Sequence, residues 1–229
     1  MQIYSSLPTV LLDGWMSRQQ THPPHEQVGF HYHLAEEWLE VTDGAMTFYS
    51  LSQQAWPLAA GAVFRIPRGE VHRAGIGAAG VTYRMYVPIE FGVGFSIPLN
   101  DGELTLLATN LDFPVREENL DGGARAFFTE HLSEHLAFCR ANGDVVDKQT
   151  YLAKFTAMGR SSDGTVCVLN RTADAVLLST GVTVNTGAPD AKSFTNLRLF
   201  KQEDGRWKCR VWVNVPAPVS PRAAALPVT

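Results

Sequence analysis

The sequence predicts two domains: an all-β barrel over residues 1–98 and an α+β unit over residues 99–216. Up to Pro98, short apolar or alternating stretches such as GAVFRIPRG are broken by Gly, Pro and Asp, without a 3.6-residue period. After Asn100 come segments with helical spacing, ELTLLATNL and GARAFFTEHLSEHL, and then four strand-like runs. Strands alone indicate a barrel or sandwich, and helices followed by antiparallel strands are typical of α+β folds.

Two Asp-Gly pairs predict hairpin turns, because this dipeptide suits a turn in which both central residues have positive φ. Asp43-Gly44 falls within WLEVTDGAMTFYSL, and Asp204-Gly205 falls between the last two strand-like runs. The last residues, 217–229, are rich in Pro and Ala and have no strand or helix pattern, so we expect a flexible tail.

Composition narrows the class of protein. The 229 residues are 45% hydrophobic and 18% charged, as in globular proteins that fold in water. The formal net charge of -4 and the lack of a basic stripe argue against a nucleic-acid partner. No apolar run reaches about 18 residues, so no membrane span is expected, and the N-terminus lacks a signal-peptide pattern, which predicts a cytoplasmic protein. All lysines lie from Lys148 onward, a composition shift that also suggests two units.

The three cysteines, Cys139, Cys167 and Cys209, are odd in number and widely spaced within strand-like sequence. This favours buried thiols over a disulfide framework or a zinc ribbon.

Two stretches of the first unit carry the residues of a metal site. His31 and His33 are two apart, so on a strand they face the same way, and the chain then brings Glu37 alongside. About 35 residues later, a turn shaped by Pro67 and Gly69 leads into His72, a fourth ligand. Imidazole and carboxylate together suit a divalent transition metal; we favour Fe(II), with Mn, Ni, Co or Zn as alternatives. Four protein ligands leave one or two positions open on an octahedral ion, as catalysis requires.

These residues resemble the two motifs of the cupins. The first is matched by His31, His33, Glu37 and Gly44, and the second by Gly61, Pro67, Gly69 and His72. Two positions depart from the pattern: His25 stands where the first motif begins with Gly, and Ile76 stands where the second ends with Asn. The resemblance covers residues 25 to 96 and implies a small β-barrel with the metal inside. It does not select a reaction, since cupins include dioxygenases, isomerases, decarboxylases, lyases and binding proteins.

A substrate pocket is expected beside the ligands, on the strand that contains residues 83–86. Alternation puts Arg84 and Tyr86 on one side and Tyr83 and Met85 on the other, and the sequence leaves open which pair faces inward. Arg84 and Tyr86 are the candidate pocket residues, because an inward guanidinium would pair with a carboxylate or enolate substrate.

The second unit resembles the nuclear-transport-factor-2-like superfamily, particularly its SnoaL-like branch. The resemblance rests on a helical start, a short strand over residues 135–140, the Asn142-Gly143 turn, a small helix over residues 147–155 and a final antiparallel sheet. It implies a cone-shaped α+β fold with a pocket between sheet and helices. Asn196, Arg198, Trp212 and Asn214 are candidates either to line this cone or to pack, whereas His131 and His135 are separated by the end of a helix and are not expected to bind metal.

Three functions remain open. The first is a metal-dependent cupin enzyme that oxidises a small organic molecule with O2, in the manner of a dioxygenase. The second is an isomerase or cyclase whose chemistry lies in the second unit, and the third is a small-molecule binding or sensing protein without turnover. The sequence identifies no catalytic acid or base. Because relatives of both units commonly pair through their sheets, we also expect a homodimer.

Overall fold

The computed structural model describes residues 1–8, 14–91, 96–119, 122–154, 156–157 and 159–216, which form two antiparallel-rich sheets, three α-helices and a short 3-10 helix at Ile89–Phe91. The predicted tail, residues 217–229, lies outside this described part. Within the described residues, no helix is both long and apolar enough to cross a bilayer.

The first sheet is built from eight strands: β1 (Gln2–Tyr4), β2 (Trp15–His22), β3 (Gln27–His33), β4 (Glu37–Ser50), β5 (Ala55–Ala59), β6 (Val63–Ile66), β7 (His72–Pro88) and β8 (Ser96–Pro98). Their order is β1-β6-β4-β7-β3-β8, with β2 also paired to β7 and β5 to β4, and every pairing is antiparallel. The sheet curls around apolar side chains that alternate along β4 and β7, such as Leu39, Val41 and Met85. The all-β fold predicted for the first unit is therefore confirmed.

The hairpin turn predicted at Asp43-Gly44 is wrong. Both residues lie within β4, opposite Thr82 and Val81 of β7, and the strand register shifts on either side of them. Gly44 has φ +74°, and a Cβ there would lie 2.1 Å from the carbonyl oxygen of Gly80. Glycine serves here to let two backbones approach closely at an irregular bend, a use of the residue that a turn motif does not distinguish.

The second unit begins with α1 (Asp101–Glu118) and α2 (Gly122–His131). Its sheet contains β9 (Leu132–Cys139), β10 (Val145–Val146), β11 (Ser161–Arg171), β12 (Ala175–Val184), β13 (Lys192–Glu203) and β14 (Arg206–Pro216), in the order β10-β9-β14-β13-β12-β11; α3 (Lys148–Lys154) follows β10. The predicted α+β order, the short strand and the small helix are all observed. Asp204 and Gly205 form the predicted hairpin turn, with φ values of 52° and 73°.

The core of the second unit lies between its sheet and its helices. Phe113 of α1, Phe128 of α2 and Trp212 of β14 are at most 1% exposed and pack edge to face around Phe113. Tyr32 and Val71, which belong to the first sheet and to the loop before β7, are buried in the same apolar cluster. The two sheets are therefore joined by shared side-chain packing.

Candidate metal centre

Strand β3 places two imidazoles on one face. His31 and His33 alternate with Tyr32, whose side chain turns to the opposite side and is 3% exposed within the core of the second unit. The ring centroids of His31 and His33 are 4.9 Å apart. The predicted shared orientation of these two histidines is therefore observed.

The third imidazole comes from the start of β7. His72 is the antiparallel partner of His31, and the two ring centroids lie 4.3 Å apart. His72 is completely buried, and its ring lies 5.1 Å from that of His33. One potential ligand atom from each of the three histidines lies within 4.8 Å of the others, so the structure brings together a triad that suits one cation.

Backbone contacts fix the protonation of two of these rings. Nδ1 of His31 lies 2.8 Å from the carbonyl oxygen of Gly29, and Nδ1 of His72 lies 2.8 Å from that of Glu70. Because a carbonyl oxygen only accepts, each Nδ1 must donate, which leaves the Nε2 lone pair for a metal. Burial also lowers the pKa of His31 and lowers that of His72 well below 6.5, so both rings are held neutral.

Glu37 begins β4 beside the triad and is 2% exposed. Its Oε1 lies 2.9 Å from Nδ1 of His33, close enough for an ion pair, although the two atoms are not aligned as a hydrogen bond. The three-residue cluster of mutually close ligand atoms does not include Glu37. Its role as a fourth ligand stays a prediction, while its carboxylate does line the same cavity.

Unsatisfied polar atoms indicate that the site is built for a cation. Nδ1 of His33, Oε1 of Glu37 and Nε2 of His72 are buried and have no hydrogen-bond partner among the described residues. Such atoms are costly unless something binds them. Three imidazoles and one carboxylate are ligands that a divalent transition metal accepts, so these residues fit the expected ion.

The cavity in front of the triad has a volume of 160 Å³. Most of its wall is apolar and comes from the facing strands of the first sheet: Val28, Leu39, Met46, Phe48, Ile66, Ala74 and Met85. A polar group lies on β2 and β7, where the hydroxyl of Tyr83 donates to Oε1 of Gln20 at 2.6 Å and lies 3.3 Å from Nε2 of His22. The cavity therefore combines an apolar wall with the metal-ligand residues and a group of hydrogen-bonding side chains.

The candidate pocket residues Arg84 and Tyr86 do not line this cavity. Tyr83 and Met85 line it, whereas Arg84 and Tyr86 lie on the other face of β7. There the hydroxyl of Tyr86 donates to Oε2 of Glu40 at 2.9 Å, and the Arg84 side chain is 47% exposed. Pairing with β4 decides which face is inward, and that pairing is not visible in the sequence of β7 alone.

The sequence analysis did not identify His22 as a residue of this cavity. Strand β2 extends to His22, which lines the cavity with Gln20 and holds Oε2 of Glu26 at 2.9 Å from its Nδ1. The two-residue spacing of Gln20 and His22 ahead of Pro23 could have indicated a strand face. His25 has φ 63°, which explains why the cupin pattern has glycine at this position.

A second cavity, of 410 Å³, lies in the second unit between the sheet and the helices. Glu117 of α1 lines it and is 3% exposed; it accepts a hydrogen bond from the Tyr151 hydroxyl at 2.9 Å and lies 3.2 Å from Nε of Arg160. Burial raises the pKa of Glu117 and raises that of Tyr151 well above 10.

The four candidate cone residues divide between packing and lining. Asn214 lines the second cavity, with a buried Oδ1 that has no hydrogen-bond partner among the described residues. Asn196, Arg198 and Trp212 are instead packed: Oδ1 of Asn196 accepts from both the guanidinium of Arg198 and the indole of Trp212. All three cysteines are free thiols; Cys209 is buried as expected, whereas Cys139 and Cys167 are only half-buried.

Comparison with known proteins gives a family for part of the chain. A family model described as a cupin domain matches residues 18–80, the stretch that holds the histidine triad and Glu37. No curated protein matches the chain.

Solved structures are similar to one half of the chain or the other. An NTF2-like protein from Cytophaga hutchinsonii is 18% identical over 52% of this chain and 100% of its own, with a TM-score of 0.44. A cupin-2 domain containing protein from Shewanella frigidimarina is 18% identical over 34% of this chain and 72% of its own, with a TM-score of 0.30. The DMSP lyase DddQ from Ruegeria pomeroyi is 17% identical over 38% of this chain and 43% of its own, with a TM-score of 0.34.

The motif spacing, the curled antiparallel sheet, the inward histidine triad and the family match agree for the first half of the chain, and we conclude that residues 18–80 are a cupin domain.

Proposed function

We propose that this protein is a metal-dependent cupin enzyme that carries out an oxygen-dependent, dioxygenase-type oxidation of a small organic molecule. The observation that carries the proposal is the triad of His31, His33 and His72, whose ligand atoms lie within 4.8 Å of one another at the wall of a cavity. When bound there, Fe(II) would supply Lewis acidity and electrons for the reduction of O2. Mn, Ni, Co and Zn suit the same donors and are the alternatives.

The protein's own residues would hold and orient the substrate. The 160 Å³ cavity is smaller than the range of about 300–1,000 Å³ that is typical of sites for drug-sized ligands, which favours a compact substrate. Its largely apolar wall favours a small organic substrate, and the Tyr83 hydroxyl, whose proton is donated to Gln20, can accept a hydrogen bond from a substrate hydroxyl.

Metal content tests the site. Purified wild-type protein should contain a divalent transition metal by elemental analysis, and His33→Ala should contain much less. His72→Ala should weaken binding of a divalent ion without unfolding the protein, because apolar side chains form most of the sheet's core. Arg84→Ala, on the outer face of β7, is the control and should keep the wild-type metal content. Equal metal in wild type and His33→Ala would contradict the proposal.

Nitric oxide tests access of a small diatomic molecule to the site before the substrate is known. If a coordination position is open, nitric oxide should convert Fe(II)-loaded protein into a form with an electron paramagnetic resonance signal. Oxygen consumption is then measured with a panel of small hydroxylated and carboxylated compounds. A metal-loaded protein that fails to react with nitric oxide would support the binding or sensing alternative instead.

A second candidate function is isomerase or cyclase chemistry in the 410 Å³ cavity. It is favoured by Glu117, a buried carboxyl with a raised pKa at the cavity wall, since acid–base catalysts are tuned in this way. The ion pair between Glu117 and Arg160 is equally consistent with a structural role for this carboxyl. Glu117→Gln should abolish activity if this cavity is catalytic, and leave it largely intact if the cupin site is.

A further inference from the structure

Each histidine of the triad has a sequence neighbour that is buried in the second unit. Tyr32 lies between His31 and His33, and Val71 precedes His72; the side chains of Tyr32 and Val71 are 3% and 1% exposed. Both belong to the apolar cluster that also contains Val166 and Val168 of β11. Since strand side chains alternate, the imidazoles face the cupin cavity while their neighbours anchor the same backbone from behind.

Backbone hydrogen bonds reinforce this contact. The N–H of Val71 donates to the carbonyl oxygen of Val166 at 2.9 Å, and the N–H of Val168 donates to that of Gly69 at 2.8 Å. Between them, Glu70 and Cys167 form an antiparallel bridge. The loop of the second cupin motif is therefore paired with an outer strand of the second sheet.

The paired loop also fixes the His72 ring. The carbonyl oxygen of Glu70 accepts from Nδ1 of His72 at 2.8 Å, and the N–H of Gly69 donates to the carbonyl oxygen of His33 at 2.9 Å. A shift of the loop would move the acceptor that orients His72 and the link to His33 together. Residues that orient metal ligands in this way affect the affinity for the metal as well as the fold.

One short segment of β11, residues 166–168, is regularly paired with its neighbours on both sides. Val166, Cys167 and Val168 pair in continuous register with residues 180, 179 and 178 of β12, while register shifts occur on either side, between Ser162 and Val166 and between Val168 and Asn170. The regular segment is the one that also pairs with the 69–71 loop.

We propose that β11 of the second unit is part of the support of the metal centre, with Val71 and Val168 as positioning residues that hold His72 in place. This inference rests on the proposed metal site. If β11 supports the site, the affinity for the metal and the contact between the 69–71 loop and β11 depend on each other. The reason is that a ligand that binds better to one arrangement stabilises that arrangement.

Co(II) binding to full-length variants tests the proposal. Val71→Ala removes the anchor next to His72, and Val168→Pro removes the N–H that bonds to Gly69. We expect each to weaken Co(II) binding by about tenfold, the lower end of the effect seen for residues that orient metal ligands. The visible absorption bands of bound Co(II) should also shift, since the ligand geometry changes.

Val176→Ala is the matched control, because Val176 of β12 is 4% exposed in the same apolar cluster and makes no backbone bond to the loop. It should lower the urea midpoint about as much as Val71→Ala, yet leave Co(II) affinity and spectrum unchanged. Wild-type affinity in Val71→Ala and Val168→Pro, or an equal loss in Val176→Ala, would overturn the proposal.

Hydrogen exchange on the wild type needs no variant. Zn(II) should slow exchange of the Val168 amide more than that of amides in β10, at the opposite edge of the second sheet, and equal slowing at both places would count against the inference. If the wild type binds neither Co(II) nor Zn(II), the metal centre itself is refuted. If the wild type binds metal and Val71→Ala and Val168→Pro bind it equally well, only the supporting role of β11 is refuted.

Discussion

At the residue scale, the metal centre depends on how the imidazoles of His31 and His72 are buried and each given one fixed hydrogen-bond partner. Burial disfavours the charged ring, and the carbonyl oxygens of Gly29 and Glu70 take the Nδ1 protons of His31 and His72. The lone pairs that remain cannot satisfy one another, because neutral imidazole nitrogens without hydrogen only accept. The same arrangement that costs free energy in the metal-free protein is the one that a cation stabilises.

Two glycines of the second cupin motif differ in what surrounds them, which gives a prediction. Both have positive φ, +76° for Gly69 and +89° for Gly61, but a Cβ on Gly69 would lie 2.4 Å from the carbonyl oxygen of Val168 and a Cβ on Gly61 would meet open space. Gly61→Ala should cost about 1–2 kcal/mol from backbone strain alone. Gly69→Ala should cost clearly more, since the backbone of β11 must also move.

Urea unfolding of the two variants measures this difference. Gly61→Ala is the control for left-handed strain without a clash. Equal destabilisation by the two substitutions would show that β11 does not press on the loop at Gly69.

At the element scale, one strand serves two surfaces. The 17 residues of β7 carry His72 at one end and Tyr83 and Met85 toward the other, all facing the cavity, while Arg84 and Tyr86 contact Glu40 on the outside. Two register shifts in the pairing of β4 with β7 lie between these regions. Simple alternation along β7 therefore cannot be carried from His72 to Tyr83, because each register shift changes which residues face inward.

Glu117 of α1, which accepts a hydrogen bond from Tyr151 of α3, gives a pH-dependent prediction. Burial raises the pKa of Glu117 above its ordinary 4.5, so the folded protein holds this proton more tightly than the unfolded chain does. The stabilisation is complete below about pH 4.5 and is lost as the pH rises through the folded-state pKa. The wild type should therefore lose stability relative to Glu117→Gln between pH 4.5 and neutrality, by about 1.4 kcal/mol for each unit by which the pKa is raised.

Free energies of unfolding across this pH range check the sign. Glu130→Gln, at an exposed ion pair with Arg206, is the control, since such pairs contribute no more than about 1 kcal/mol. A gap between wild type and Glu117→Gln that stays constant with pH would mean that burial does not govern this carboxyl.

At the scale of the whole molecule, two sheets share one apolar cluster. Tyr32 and Val71 from the first sheet and its loop pack with Leu178 and Phe200 of the second. The predicted boundary at residue 98 follows the change in composition along the chain, but packing continues across it. We expect unfolding to be cooperative across this junction.

The expected homodimer stays a prediction, and the second sheet offers residues with which to test it. Large apolar side chains are exposed on three of its strands: Val145 is 66%, Leu169 42% and Val215 39% exposed. If the second sheet pairs with that of a second copy, such side chains are the ones that the contact would bury. Light scattering should give about twice the mass of one chain, and Val215→Lys should shift the population toward the monomer; a monomer mass for the wild type would refute the dimer.

The sequence by itself determined the types of the two units and the members of the histidine triad. His-x-His needs only the two-residue repeat of a strand to put both rings on one face, and the Pro67 and Gly69 turn determines where the next strand starts, so local rules suffice. Only the tertiary structure decided that Tyr83 and Met85 face inward, that Gly44 bends a strand, that His22 lines the cavity, and that β11 holds the ligand loop. The physical reason is that strand pairing, register shifts and contacts between sheets join residues far apart in the chain, and no local pattern records them.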